Sequence, residues 1–313
     1  MNGKKERKML KPEEYFEPLP PEDRDTERIS VEAGSFGRNV WETFRKNRLA
    51  LIGLVCLALI ILAALIGPLV SPYPYDGMDA LSRNLGSSSA HPFGTDQMGR
   101  DTLTRVLYGT RVSLMVGFVS TALNLVIGVL YGGIAGYAGG RTDMIMMRIV
   151  DVIYAVPAMI YMILLMLIFG SNVYSVILGI CVNGWVNMAR IVRSQIMSLK
   201  EREFAVAAFV IGADRKRILF RHLLLNCLGP IIVTVTLLIP QAIFTEAFLS
   251  FIGIGISAPK ASLGTLAQDA KMLMNVYPMQ MVWPVLVICI VIFSLNFIGE
   301  GLETALNPRG RRA

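Results

Sequence analysis

Residues 49–75 read LALIGLVCLALIILAALIGPLVSPYPY, and no charged side chain interrupts them. A helix of about 20 apolar residues is long enough to cross the hydrocarbon core of a bilayer, which is roughly 30 Å thick. The stretch therefore predicts a membrane-spanning helix over about residues 49–70. Four further uncharged runs of sufficient length lie at 112–140, 152–189, 223–245 and 272–299.

The run at 152–189 is too long for a single span. Ser171 and Asn172, just after Gly170, mark a turn inside it. The first of its two helices is expected to begin earlier, between Asp143 and Arg148. We therefore predict an all-α, polytopic membrane protein with six spans, at about residues 49–70, 112–136, 145–169, 173–195, 226–248 and 280–302.

The composition agrees with this class of protein. Of the 313 residues, 54% are apolar and 17% are charged, and the mean hydropathy is +0.54. A soluble domain carries about 25% charged residues. These values exclude a disordered chain, a collagen-like chain and an ordinary water-soluble enzyme.

The basic residues predict which loops face the cytoplasm, because lysine and arginine collect on that side of a membrane protein. Arg45, Lys46 and Arg48 precede the first span and indicate an uncleaved first helix with a cytoplasmic amino terminus. The loop before the last span holds only Lys260 and Lys271. The loop between the fourth and fifth spans and the tail are far more basic, with Arg190, Arg193, Lys200, Arg202, Arg215, Lys216, Arg217, Arg221, Arg309, Arg311 and Arg312. Both termini are therefore expected inside, and the net charge of +7 reflects topology rather than nucleic-acid binding.

The chain divides into three blocks. A polar arm at residues 1–40 has too little apolar surface to fold alone. Residues 41–110 hold the first span and a loop rich in proline and glycine, and residues 111–313 hold five helices with a long loop at about 196–222. Residues 101–111 have apolar side chains at helical spacing between arginines. They predict a short interfacial helix before the second span, with a solvated loop as the alternative.

The sequence contains no motif for catalysis. No GxxxxGK[ST] phosphate loop occurs, so this chain is not expected to bind ATP. The two histidines, His91 and His222, are far apart in the sequence, and neither HExxH nor GxSxG is present. The four cysteines lie in or beside apolar runs and are interpreted as small core residues. We therefore expect no catalytic residue, no metal site and no cofactor on this chain.

The loop from Arg190 to Leu225 is unusually long for a connection between spans. It contains a short apolar, alanine-rich segment between basic flanks. Gly212, followed by Ala213 and Asp214, suits the end of one helix and the cap of the next. Such a segment predicts a helix that docks into a partner through its small residues. An amphipathic helix lying on lipid headgroups fits the composition equally well.

This loop resembles the EAA motif of the permease subunits of bacterial ABC importers, in which Glu-Ala-Ala is followed four residues later by Gly. Ala207, Ala208 and Gly212 match that pattern, whereas Val206 stands at the glutamate position. Glu203 matches a second acidic position that is common in peptide-importer permeases. The resemblance implies a type I ABC-importer permease fold.

A second resemblance narrows the family. Residues 91–101 read HPFGTDQMGRD and resemble the signature HPxGTDxxGRDxxSRxxYGxRxSL of the C-type permeases of dipeptide and oligopeptide importers. Thr104 stands where serine is usual. Residues 246–255 and 301–309 also resemble this family, so the likeness covers about residues 35–310. The signature positions are His91, Gly94, Thr95, Asp96, Gly99, Arg100 and Asp101.

The resemblance implies a set of partners in a bacterial cytoplasmic membrane. A second, B-type permease would complete the translocation path, and two cytoplasmic ATPases would hold ATP and Mg²⁺. An extracytoplasmic binding protein would deliver the peptide. Residues 203–213 would form the helix that couples the ATPases to the spans. Besides the lipid bilayer, these are the expected partners, and no nucleic acid is among them.

Polar residues inside the predicted spans are candidates for a pathway or gate, because they are costly in lipid. Asn183, Asn187 and Glu246 are the foremost candidates. For Glu246 a solvated position near the outer end of the fifth span is an equal alternative. Asp151 is expected to pair with Arg148 near the cytoplasmic end. Asn124, Gln241 and Asn296 are further polar residues of the spans.

Two other classes of function remain open at this point. A self-contained secondary transporter would show inverted repeats and paired broken helices, and no repeat is visible in the sequence. A membrane scaffold or receptor would use its basic loop to bind lipid headgroups. Within the importer family, relatives carry dipeptides, longer peptides or nickel chelates, so the resemblance leaves the substrate open.

Overall fold

The computed structural model describes residues 36–306. The regular structure in that range is helical, and no β-strand is present. Thr95 and Asp101 form an isolated antiparallel bridge. Ala80–Ser82 form a 3₁₀ turn and Ile218–Leu223 a π-helical segment. The helices are α1 Phe36–Lys46, α2 Arg48–Val70, α3 Thr102–Ala138, α4 Gly140–Ala155, α5 Ala158–Phe169, α6 Val173–Leu199, α7 Glu203–Val210, α8 Arg215–Arg217, α9 Leu224–Asn226, α10 Leu228–Phe251, α11 Leu263–Lys271 and α12 Pro278–Leu306.

Five of these helices are long and apolar enough to cross a membrane, and a bent pair supplies a sixth candidate span. Helices α2, α6, α10 and α12 start within two residues of the predicted spans. The prediction of an all-α, multi-span protein is therefore confirmed. The polar arm at residues 1–40 lies mostly outside the described residues, so the division at 41–110 and 111–313 stays a prediction.

The second span begins earlier than predicted. Helix α3 runs for 37 residues from Thr102, so residues 102–111 are its first turns rather than a separate interfacial helix. Asp101 caps it, because its Oδ2 accepts a hydrogen bond from the Thr104 N–H at 2.8 Å. Arg105, together with Arg100 just before the helix, lies in a buried ion-pair network instead of at the lipid headgroups.

The third span is broken. The helix predicted at 145–169 is in fact the pair α4 and α5, which bend by 78° relative to each other. Pro157 causes the break, because its ring removes an N–H and disfavours helical geometry in the residue before it. Val156 is accordingly extended, with φ −86° and ψ 128°.

Helices α3 and α6 form the most extensive helix pair of the described residues. Gly128, Gly132 and Gly136 recur every four residues and so share one face of α3. A Cβ atom on Gly132 would lie 2.2 Å from the carbonyl oxygen of Ala189. Small residues on this face therefore let the two backbones approach closely, as is common between membrane helices. Helix α12 contacts α2, α10 and α11, and α10 also contacts α3.

Candidate functional sites

The signature residues converge at the start of α3, in an ion-pair network that we call the signature knot: Asp96, Arg100, Arg105 and Asp269. Asp96 Oδ2 accepts hydrogen bonds from Arg100 Nε at 2.6 Å and from Arg105 Nη1. Asp269, on α11, lies 3.4 Å from Arg100 Nη2 and 3.3 Å from Arg105 Nη2. Two acidic and two basic side chains thus meet with no net charge.

Most of the knot is shielded from water. The Arg105 side chain is 5% exposed, and that of Asp96 is 13% exposed. Burial opposes the ionisation of Asp96, but the Arg100 N–H and the guanidinium groups of Arg105 and Arg100 outweigh it. Together they hold the pKa of Asp96 below its ordinary value. The knot therefore joins the loop before α3 to α11 through ion pairs, in which Asp96 is the more buried of the two acids.

Two glycines of the signature are required by the backbone. Gly94 and Gly99 have φ of +73° and +74°, which disfavours any side chain. A Cβ atom on Gly99 would also lie 1.8 Å from the Asp79 carbonyl oxygen. The neighbouring Thr95 is fully buried, and Gln280 Nε2 of α12 donates to its carbonyl oxygen at 2.9 Å. The signature thus folds its loop back on itself and onto α12.

His91 and Asp101 complete the signature. His91 Nδ1 lies 2.9 Å from Asp101 Oδ1, whose partner oxygen caps α3. The Thr104 hydroxyl donates to Asp101 Oδ2, the capping oxygen, at 2.8 Å and lies 2.6 Å from the Ser71 hydroxyl. Threonine at position 104 therefore keeps the hydroxyl that serine would supply. The structure places all seven signature residues in one cluster.

The alanine-rich loop forms a short helix, α7, at the other end of α3. The last turn of α3 is close to α6 there, and Lys200 Nζ donates to the Gly136 carbonyl oxygen at 3.1 Å. Ala205 and Ala208 of α7 are 4% and 5% exposed, and they belong to a core cluster with Ile196 of α6. The expectation that small residues carry the partner contact is therefore wrong for Ala208. Glu203, Ala207 and Asp214 are exposed, and Ala213 is half-buried.

Large apolar side chains occupy the outer face of α7 and the residue that follows it. We call this surface the α7 tip: Val206, Phe209, Val210 and Ile211, with exposed fractions of 50%, 66%, 77% and 83%. Gly212 ends the helix with φ +84°, and the Ala213 N–H donates to the Ala208 carbonyl oxygen at 3.0 Å. Asp214 then caps α8 through the Arg215 N–H at 2.8 Å. The predicted helix end and new cap are confirmed.

An open cavity of about 280 Å³ lies between α3, α4, α5, α6 and α10. We call it the carboxamide cavity, because Asn124, Asn183, Asn187 and Gln241 line it. The structure thus brings the two predicted asparagines of α6 together with two further polar residues of the spans. Tyr154 and Ala158, on either side of the break between α4 and α5, also line it. Whether this cavity is a pathway stays a prediction at this point.

Glu246 lies apart from that cavity. It is fully buried, and it accepts hydrogen bonds from the hydroxyls of Ser113 at 2.7 Å and Ser250 at 2.8 Å. The Ser113 oxygen in turn accepts from the Leu263 N–H at 3.3 Å, at the start of α11. The solvated position considered for Glu246 is therefore wrong, because its carboxyl group links α3, α10 and α11. Its role at a gate stays a prediction.

Two ion pairs join α4 to α6. Arg193 binds Asp143 through two hydrogen bonds, one of them 2.6 Å between Nη2 and Oδ2. Arg190 Nη2 lies 2.9 Å from Asp151 Oδ1. The predicted pairing of Asp151 with Arg148 is therefore wrong, because the close approach of α4 and α6 offers a partner from the neighbouring helix.

The family follows from comparison with known proteins. Residues 128–312 match the family described as "Binding-protein-dependent transport system inner membrane component", and residues 35–87 match "N-terminal TM domain of oligopeptide transport permease C". The chain is 43% identical over 301 residues to the oligopeptide transport system permease protein OppC of Bacillus subtilis (strain 168), covering 96% of this chain and 99% of that protein. The chain belongs to this family of OppC- and DppC-like permeases.

Further matches agree with this assignment. The permease is 41% identical over 302 residues to the dipeptide transport system permease protein DppC of Bacillus subtilis (strain 168), covering 96% of this chain and 94% of that protein. A structure of inward-facing conformations of the MetNI methionine ABC transporter matches with a TM-score of 0.53 and 18% identity, over 65% of this chain and 96% of that chain. The latter match shows the fold, which is that of an ABC-importer permease. The permease is thus a multi-pass transport subunit of the cytoplasmic membrane and not an enzyme.

Sequence reasoning missed two partners of the signature. Asp269 pairs with Arg100 across 169 residues, and Gln280 bonds to Thr95 across 185 residues. No local spacing connects such distant positions. The acidic Asp269 before the last span and the amide Gln280 at its start were the signals available.

Proposed function

We propose that the permease forms one half of the translocation pathway of an ATP-driven importer of oligopeptides or dipeptides. Membership of the OppC- and DppC-like family over nearly the whole chain supports the peptide as substrate. A second, B-type permease supplies the other half of the pathway. An extracytoplasmic binding protein delivers the peptide, and two ATPases hold the ATP and Mg²⁺ that this chain does not bind.

The α7 tip is the observation that carries the coupling part of this proposal. Four large apolar side chains are exposed at one end of the bundle, although exposing them to water is unfavourable. The opposite face of α7 is anchored in the core cluster that contains Ile196 of α6. A movement of a partner seated on the tip would therefore be passed directly to α6. We infer that the ATPases bind here, on the cytoplasmic side.

The alternatives have weaker support. A secondary transporter would need paired broken helices in two halves, whereas residues 36–306 contain one bent pair, α4 and α5. A headgroup-binding helix would combine its apolar face with lysine and arginine on its polar face, whereas α7 contains no basic residue.

Transport by the reconstituted complex tests the proposal. The permease, its partner permease, the two ATPases and the binding protein are placed in proteoliposomes, and uptake of a labelled tripeptide is measured with and without ATP. We expect Phe209→Asp to reduce uptake at least tenfold, because an apolar anchor of the proposed interface is replaced by a charge that the bound partner would desolvate. The variant should remain in the membrane, since Phe209 is 66% exposed and supports no internal contact of the core.

Phe209→Leu is the matched control, because it keeps an apolar side chain at the same position. It should retain most of the uptake. Equal activity of Phe209→Asp and Phe209→Leu would refute the coupling role of the α7 tip. Peptide uptake by the permease without any ATPase would instead support the secondary transporter.

A further inference from the structure

The carboxamide cavity has a chemistry that the proposed function does not require. Its polar side chains are uncharged. The hydroxyl groups of Tyr154 and Thr245 line it together with four amides: Asn124 of α3, Asn183 and Asn187 of α6, and Gln241 of α10. Among the described residues that line it, none is acidic, basic or histidine. Its volume of about 280 Å³ is close to the lower end of the range for sites of small organic ligands, about 300–1,000 Å³.

One of these amides is buried without a partner. Asn124 is 2% exposed, and its Oδ1 has no hydrogen-bond partner within residues 36–306. A buried acceptor without a partner is unfavourable by about 1–3 kcal/mol, so such an atom marks a place where a donor is expected. The backbone of α6 is shaped around this amide, because a Cβ atom on Gly184 would lie 2.2 Å from Asn124 Nδ2. Asn124 thus lines the cavity with a tightly packed amide whose acceptor has no partner within residues 36–306.

The break in the third span adds backbone donors to the same wall. Ala158, the first residue of α5, lines the cavity, and no side chain caps that helix. The first N–H groups of an α-helix have no partner within the helix. The cavity therefore offers hydrogen-bond donors from a helix start and both donors and acceptors from its amides.

Charges near the cavity are neutralised. The Arg190 guanidinium lies over the ring of Tyr154, 4.5 Å from its centroid, but it is paired with Asp151 at 2.9 Å. A lone charge in this position would attract peptides of one sign and repel those of the other. With the pair intact, the wall selects for hydrogen-bonding groups and not for charge.

We propose that the carboxamide cavity is a subsite for the main chain of a peptide in transit, and that its neutrality makes passage independent of the charge on the peptide's side chains. Every peptide bond, except one that precedes proline, carries one N–H and one C=O, and both lose water inside a membrane protein. An amide side chain can satisfy either group, so it serves a main chain in any register. This inference rests on the proposed function, because it assumes that peptides pass through the chain.

Charge-swap variants in the complete reconstituted importer test this subsite. Three labelled tripeptides, Ala-Ala-Ala, Ala-Glu-Ala and Ala-Lys-Ala, are each loaded on the binding protein at saturation. Uptake by every variant is divided by wild-type uptake of the same peptide, which cancels any preference of the binding protein. We expect Asn187→Asp to shift the ratio of lysine-peptide to glutamate-peptide uptake about tenfold upward, and Asn187→Lys to shift it about tenfold downward.

Asn296→Asp is the matched control, because it introduces the same charge into α12, away from the lining of the cavity. It should leave the ratio unchanged. The subsite is disproved if Asn187→Asp and Asn187→Lys scale all three peptides equally, or if Asn296→Asp shifts the ratio as strongly. Asn187 is exposed, so both of its variants should fold, and Gln241→Glu provides a second test on α10. A wild-type complex that hydrolyses ATP but moves none of the peptides would refute the proposed function instead.

Discussion

At one end of α3, four charged side chains, three of them largely buried, pair with one another in the signature knot, whereas at the other end the four apolar side chains of the α7 tip stay exposed. Both arrangements are unusual, because charges are normally solvated and large apolar groups are normally buried. The knot is complete within the chain, since two acids and two bases neutralise each other. The tip is incomplete, since nothing in the described chain covers it. The signature knot therefore stabilises the fold, whereas the α7 tip is free to bind a partner.

The most specific sequence motif and the exposed functional surface lie in different regions of the permease. The signature motif is the more specific of the two in sequence, yet the contacts of its residues are with the chain's own backbone and side chains. The less specific alanine-rich loop carries the surface that faces outward. A distinctive motif thus indicates what the fold cannot vary, and the functional surface lies where the internal contacts end.

Gly99→Ala is expected to have the largest destabilising effect, because it disturbs the loop that holds the signature knot. A Cβ atom at this position meets the Asp79 carbonyl oxygen at 1.8 Å, and φ of +74° adds backbone strain. We expect a loss of about 4 kcal/mol in the free energy of unfolding, from steric overlap and strain together. Denaturant unfolding of the purified permease in detergent measures it.

Gly86→Ala is the control in the same loop, because a Cβ atom there has nothing within 4 Å. It should change the free energy of unfolding by less than about 0.5 kcal/mol. If the two alanine variants unfolded alike, the tight packing of the signature loop would not contribute to stability.

Asp96→Asn tests the electrostatic part of the knot with the next largest effect. The substitution keeps the shape of the side chain but leaves the buried guanidinium groups of Arg100 and Arg105 with only the Asp269 carboxylate, which is 45% exposed. We expect a loss of about 3 kcal/mol in the free energy of unfolding, because an uncompensated buried charge is costly. Asp269→Asn should cost less than about 1 kcal/mol, since the Asp269 side chain is 45% exposed and screened by water.

The stabilisation that Asp96 provides should depend on pH. The pKa of Asp96 is lowered in the folded protein, so its ionised form stabilises the fold at neutral pH. That stabilisation is lost as the pH falls below the ordinary carboxylate range and through the lowered pKa. The difference in unfolding free energy between wild type and Asp96→Asn should therefore shrink in acid. A difference that stays constant down to the lowest accessible pH would show that Asp96 acts through shape alone.

The sequence predicts more of the fold than of the sites, for physical reasons. Hydropathy locates spans well, because the length of an apolar run and the thickness of a bilayer are both fixed. It missed the break at Pro157, although a proline inside an apolar run was a visible signal. It misjudged Arg105, because an arginine near a span suggests a lipid headgroup until Asp96 and Asp269 are seen beside it.

Helix α7 shows that the sequence alone does not predict which of two adjacent residues is buried. Ala207 and Ala208 are adjacent and chemically identical, yet the first is exposed and the second is buried against the core cluster. Only the direction in which the helix packs decides between them. The carboxamide cavity could be anticipated in part, because an amide in a span is costly and must find a polar surrounding. Its members come from three helices, so their meeting depends on tertiary packing.

Substitutions of Gly212, beside the α7 tip, are expected to have the smallest effect on stability. Its φ of +84° ends α7, and a Cβ atom there would meet nothing within 4 Å, so backbone strain is the main cost of a substitution. Gly212→Ala should therefore destabilise the end of α7 by about 1 kcal/mol, whereas Gly212→Asn should cost less, because asparagine tolerates this conformation. Amide hydrogen exchange should rise about fivefold in α7 of Gly212→Ala and stay unchanged at the knot, because the loss is local. A matching rise at the knot would mean that the two ends of α3 unfold together and that the tip is not an independent unit.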